Sequence, residues 1–151
     1  MSPYSVLERL SIQLPAVTPP VGAFVPWVQT GNLIFVSGHI AKRDGRPWVG
    51  RVGDDVTVAD AAAAARSVAI DILGTLHAAT GNLTRIRRLV KLLILVNSSP
   101  TFTEPHLVAN GASELFTTVL GNEAGPHARS AIGVAQLPFG SCVEVELIAE
   151  V

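Results

Sequence analysis

Residues 142–151, CVEVELIAEV, alternate with a period of two, and no other stretch constrains the fold as much. Val143, Val145, Leu147, Ala149 and Val151 fall on one side. Cys142, Glu144, Glu146, Ile148 and Glu150 fall on the other. Successive strand residues point to opposite faces, so this segment predicts a strand with one face in a core and one lined by glutamates. The apolar face needs a cover, and two segments with helical periodicity can supply it. Residues 58–80 place Ala62, Ala65, Ala69, Ile72, Leu73, Leu76 and Ala79 on one face, with Asp60, Ser67, Asp71 and Thr75 opposite. Thr57 is the expected N-cap and Gly81 the stop. The alanine-rich face suits close packing on a sheet. Residues 104–120 carry an inner stripe of Val108, Ala112, Leu115, Phe116 and Val119. Here Thr103 is the expected cap, Pro105 is tolerated in the first turn, and Gly121 is the expected terminator.

The remaining runs read as strands at 24–29, 33–39, 86–96 and 128–137, with a short one at Trp48-Val49. Turns are expected at Thr30-Gly31-Asn32, Arg43-Asp44-Gly45 and Pro138–Ser141. A short helix spans Pro3–Leu14 and ends at Pro15. The order ββ(β)αβαββ predicts an α+β fold in which two helices cover one face of a mixed sheet. Glu144 and Glu146 then lie on the uncovered face. The chain is expected to be one domain, 1–151, with residues 1–20 as an N-terminal extension.

Apolar residues make up 48% of the chain and charged residues 15%. A small monomer has too much surface for that balance, so part of it is expected to be buried against other copies in a homo-oligomer. A net charge of −1 gives no reason to expect nucleic acid or an anionic membrane. No run of about 18 apolar residues is present, so no membrane span is expected. Glu8 and Arg9 stand where a signal peptide needs its apolar region. Cys142 is the sole cysteine, which rules out a disulfide framework and fits a cytoplasmic location. His39, His77, His106 and His127 have no ligand spacing, so no metal is expected. Phosphate-loop, dinucleotide and zincin motifs are absent, and Ser37 sits in Val-Ser-Gly rather than a nucleophile elbow.

Chemistry must therefore come from scattered polar residues. In ARSAIGVAQLP, Arg129 is followed at alternate positions by Ala131, Gly133 and Ala135. A guanidinium presents a planar fork that matches a carboxylate, and small neighbours leave room for one. A strand-end arginine in solvent or in an intersubunit ion pair is the competing reading. Glu144, mid-strand between valines, is either an outer-face glutamate or a carboxylate raised in pKa by a poorly solvated cleft. Ser37-Gly38 either ends a strand or lets backbone approach a ligand. Asn110 lies on the polar side of the second helix. Phe24 and Trp27 are core, interface or stacking aromatics. Arg85, Arg87, Arg88 and Lys91 form the one basic group that could contact RNA, but without interleaved aromatics they read as a solvated strand entrance.

Three segments, GAFVPWVQTGNLIFVSGHIA, VANGASELF and HARSAIGVAQLPFGSCVEVELIAEV, together resemble the RidA/YjgF family of reactive-intermediate deaminases. The resemblance runs from about Gly22 to Val151. It implies a chorismate-mutase-like fold, a homotrimer with ligand clefts between subunits, no cofactor, and hydrolysis of small enamino or imino carboxylates to a 2-keto acid and ammonia. A non-catalytic module binding a small carboxylate is the alternative within the same fold, and the ribonuclease label borne by some family members is a third. Carried over by position, Arg129 would hold the substrate carboxylate and Glu144 would position or activate water. Ser37, Gly38 and Asn110 would line the cleft. Two positions depart from the family pattern: Phe24 stands where a tyrosine is usual, and Ala131 where a cysteine is common. About two extra residues also separate Asn110 from Arg129. These departures bear on the substrate and imply a more apolar pocket.

Overall fold

The computed structural model describes residues 1–151. Its elements in chain order are α1 (Pro3–Arg9), β1 (Trp27–Thr30), β2 (Leu33–Ile40), β3 (Lys42–Arg43), β4 (Arg46–Pro47), α2 (Val58–Thr80), β5 (Arg88–Asn97), α3 (Pro105–Ala124), β6 (Ala128–Val134) and β7 (Val143–Glu150). Five strands form one sheet in the order β1-β2-β7-β5-β6, and β3 and β4 form a separate hairpin. Within the sheet only the β5–β6 pair is parallel, and α3 is its crossover. The fold is the expected α+β arrangement of helices on a mixed sheet, with α1 as a third helix.

The alternating last strand lies at the centre of the sheet. Val143, Val145, Leu147 and Ala149 are buried in the core with Ile34 and Val36 of β2 and Leu92, Ile94 and Val96 of β5. The helices α2 and α3 cover this face. They touch at Gly111, where a Cβ would overlap the backbone carbonyl of Ala62. On the other face the register aligns Val28, Phe35 and Ile148 in one row and Glu144, Leu95 and Ile132 in another. Val28, Phe35 and Ile132 are 56%, 42% and 47% exposed, so no part of this chain covers that face.

Helix α2 has the expected bounds. Thr57 Oγ1 accepts from the Asp60 amide at 3.1 Å, and Gly81 closes the helix in the left-handed region at φ 73°. Its buried stripe differs from the expected one: it includes Ala61, Ala64, Val68 and Thr75, while Ala62 and Ala79 are half-buried. Thr75, on the expected polar face, lies inside because its hydroxyl meets His39. Helix α3 differs at both ends. Glu104 is the N-cap residue, with no side-chain cap, and Pro105 opens the helix where its missing N–H costs nothing. Gly121 breaks the helix at φ 83°, and the chain continues to Ala124 instead of stopping there.

Strand limits shift for reasons of pairing. β1 starts at Trp27 because Phe24 N–H turns back to the Gly22 carbonyl and Pro26 has no N–H. β6 stops at Val134, opposite Asn97, where its only neighbour β5 ends. The expected strand at Trp48-Val49 is an isolated bridge from Val49 to Ser141, and the paired residues are Arg46-Pro47. Asp44 and Gly45 both have positive φ, as a two-residue hairpin turn requires. Val6 and Leu7 of α1 enter the same core, and Tyr4 Oη accepts from the Leu83 amide at 2.9 Å and meets His77 Nδ1 at 2.8 Å. No helix is long and apolar enough to cross a membrane.

Candidate functional site

The candidate residues gather in two groups. The first is built on a bulge. Between Val36, opposite Leu147, and His39, opposite Val145, two residues of β2 face one of β7. Those two are Ser37 and Gly38. The Ser37 amide donates to the Pro26 carbonyl at 3.0 Å and its hydroxyl to the Val25 carbonyl at 2.6 Å. Phe24, adjoining Val25, is 51% exposed. A Cβ on Gly38 would overlap Glu144 Oε1, so the carboxylate occupies the space that glycine leaves. Burial, and secondarily the charge of Glu146, push the Glu144 carboxyl above its ordinary pKa. His39 secures the bulge from the helix side. Its Nδ1 lies 2.6 Å from the Ser37 carbonyl and its Nε2 2.8 Å from Thr75 Oγ1. Burial holds the His39 ring below its ordinary pKa, against the raising effects of the Ser37 carbonyl and Asp71.

The second group surrounds Arg129 on the edge strand β6. Its Nη1 donates to Ser113 Oγ and its Nη2 to the His106 carbonyl, each at 3.0 Å. His106, Asn110 and Ser113 recur at helical spacing, so Asn110 lies on the α3 stripe that Arg129 reaches. Ala131 follows on the same face of β6 and packs against the core. Ser113 Oγ is 2.9 Å from His127 Nε2, and His127 Nδ1 is 2.6 Å from the Gly125 carbonyl. Burial lowers the His127 pKa, and the Arg129 charge adds to that.

One chain does not bring Arg129 and Glu144 together. Arg129 aligns with Leu92 and Leu147 on the helix face, while Glu144 aligns with Leu95 and Ile132 on the open face. Two inter-strand spacings, about 10 Å, also separate their strands. Each chain therefore carries an Arg129 group and a Glu144 group on different faces of its sheet. Cys142 is buried, its thiol pushed up to about 11, and belongs to neither. No cluster of His, Cys, Asp and Glu is arranged to hold a metal ion. The basic group at the start of β5 is largely spoken for: Arg85 donates to the Thr80 carbonyl, Arg88 pairs with Glu150 at 2.9 Å, and Lys91 donates to Ser130 Oγ. Sequence reasoning missed Ser113 and His127. Both had a signal, since Ser113 lies three residues from Asn110 on a helix and His127 lies two residues before Arg129, just ahead of β6.

The chain matches the family described as YjgF/chorismate mutase-like, putative endoribonuclease, over residues 5–151. It belongs to this YjgF/RidA family, as the segments quoted above implied. The match takes in most of α1. Protein TCP17 of Trypanosoma cruzi is 48% identical over 145 residues, covering 95% of this chain and 91% of the relative. The protein Atu1372 of Agrobacterium tumefaciens, whose function is unknown, shares 44% identity at a TM-score of 0.89, over 99% of this chain and 91% of that one. A putative endoribonuclease from Shewanella oneidensis is 30% identical at a TM-score of 0.95, over the whole of both chains.

Proposed function

We propose that the protein hydrolyses small 2-imino or 2-enamino carboxylates to 2-keto acids and ammonia, without a cofactor, in clefts formed between copies of the chain. The observation that carries this reading is the state of Arg129. Two of its five N–H bonds are held by Ser113 and His106, which leaves three for a carboxylate at the sheet edge. Glu144 supplies the complementary chemistry from the opposite face. A second copy can set its Gly38–Glu144 half against the Arg129 half of the first. The open face supports such self-association, because Val28, Phe35, Leu93, Leu95, Ile132 and Ile148 form a broad apolar array on it. The family pattern favours a homotrimer.

In this reaction the anchored carboxylate holds the C=N carbon beside a water molecule, and proximity supplies much of the rate. An enamine first becomes the imine by gaining a proton on carbon and losing one from nitrogen. The water oxygen then adds to the C=N carbon as the π pair moves to nitrogen, and Glu144 takes the water's proton and hands it to that nitrogen. The carbinolamine hydroxyl then gives its proton, through Glu144, to the nitrogen, the C–N bond breaks, the C=O bond forms and ammonia leaves. A carboxylate raised in pKa suits this exchange, since it can hold a proton closer to neutral pH. Phe24 and Ala131 offer no hydroxyl or thiol, so the pocket wall favours imines with apolar side chains.

The test supplies imines generated in place by an amino-acid oxidase from alanine, 2-aminobutyrate and leucine, and follows their loss. Accelerated loss that disappears in Arg129→Ala is expected. Loss at the buffer rate, or full activity in Arg129→Ala, overturns the reading. Should 2-oxobutanoate raise the melting temperature in an Arg129-dependent way without turnover, the chain is instead a carboxylate-binding module.

A further inference from the structure

With His127 neutral, as its burial and the Arg129 charge favour, the hydrogen bonds behind Arg129 run in one direction. The Gly125 carbonyl can only accept, so His127 Nδ1 carries a hydrogen. In the neutral ring Nε2 is then bare and accepts. Ser113 Oγ, 2.9 Å away, must give it the hydroxyl hydrogen. The serine lone pairs are thereby left to receive Arg129 Nη1 at 3.0 Å. On its other side the guanidinium meets the His106 carbonyl, again a pure acceptor. His106 and Ser113 stand two turns apart on one stripe of α3, so the two terminal nitrogens are pinned by a single rigid element. The His127 ring is itself fixed, edge-on to Phe116 with centroids 6.4 Å apart and planes at 88°.

We infer that Ser113 and His127 are positioning residues, a relay that locks the Arg129 guanidinium in the plane in which it receives a carboxylate. This rests on the reading of Arg129 as the carboxylate anchor. A free arginine side chain loses substantial rotamer entropy when it closes on a ligand. The relay meets that cost during folding, before ligand arrives. Ser113 and His127 act through Arg129 and need no contact with the reacting atoms.

The test has two arms. In the kinetic arm, Ser113→Ala raises KM for the imine about 10-fold and leaves kcat within about 2-fold, the size expected for one lost bond to a charged group. Ser113→Thr keeps the hydroxyl and restores KM. His127→Phe keeps the ring against Phe116 but removes the acceptor, and raises KM by about 3-fold. In the spectroscopic arm, nitrogen-15 NMR reads His127 Nε2 as an unprotonated, hydrogen-bonded acceptor. It also finds rotation about the Arg129 Cζ–N bonds hindered in the wild type and freed in Ser113→Ala. Unchanged KM and unchanged rotation in Ser113→Ala overturn the relay, as does failure of Ser113→Thr to rescue. If no imine is hydrolysed, the proposed function fails, while the NMR arm still decides the relay: free rotation in the wild type overturns it.

Discussion

Glu144 and Gly38 form the most informative residue pair. A Cβ at Gly38 meets the end of a flexible side chain, not backbone. Gly38→Ala should therefore fold with nearly wild-type stability but displace the carboxylate. Imine hydrolysis should fall by about 10–100-fold, in line with loss of a placed proton-transfer group, and kcat set beside the melting temperature checks both halves of the statement. Glu144 also makes a pH prediction. Its folded pKa is raised, so the stability it contributes is full below the unfolded carboxylate pKa and is lost as pH rises through the folded value. Glu144→Gln should raise the melting temperature by about 2 °C at neutral pH. The gain should vanish below the ordinary carboxylate range, where Glu144 is protonated folded or unfolded. Cys142 gives a third expectation. With its thiol pushed up to about 11 and buried, alkylation at pH 8 should label it only after denaturation, as read by intact mass.

At the scale of elements, the contact between α2 and α3 is set by Gly111. Alanine favours helix over glycine by about 1 kcal/mol, which alone predicts a more stable Gly111→Ala. The added methyl, however, would overlap the Ala62 carbonyl, a backbone group that no rotamer change can move. Overpacking of this kind costs about 1–3 kcal/mol, so a net loss is expected as a lower denaturation midpoint. The helices were legible in the sequence because their signals are local: a cap at Thr57, a stop at Gly81, and apolar residues every three or four positions. Where those signals failed, a long-range contact prevailed. Thr75 looked polar until His39, 36 residues away, gave its hydroxyl a partner inside. Gly121 looked terminal, but the chain uses its positive φ to bend α3 and carry the chain back to β6.

For the whole molecule, the open sheet face sets the expectation. An array with Val28, Phe35 and Ile132 about half exposed is unsuited to a monomer in water. Sedimentation equilibrium should find three 15.8 kDa chains together, and Phe35→Asp should dissociate them and abolish hydrolysis with them. A wild-type mass of one chain would overturn both the trimer and the shared cleft. The excess of apolar over charged residues predicts buried surface between copies, but composition cannot say which face would provide it. The register shows which apolar residues lie together on the open face, by aligning Val28, Phe35 and Ile148 across three strands.

The sequence by itself determined the layers and their inner faces. Periods of 2 in CVEVELIAEV and about 3.6 in residues 58–80 are properties of neighbouring residues, and each period permits one kind of element. It also singled out Arg129, Glu144, Gly38 and Asn110 as residue types, through the family pattern. Only the tertiary structure decided how they meet. The strand order puts β7 in the centre and β6 at an edge, and the register sends Glu144 and Arg129 to opposite faces. The bulge at Ser37-Gly38 brings a glycine under a carboxylate over a hundred residues away. Ser113 and His127 close on Arg129 for the same reason. Pairing and register join distant segments through the packing of the whole core, and no local pattern encodes them.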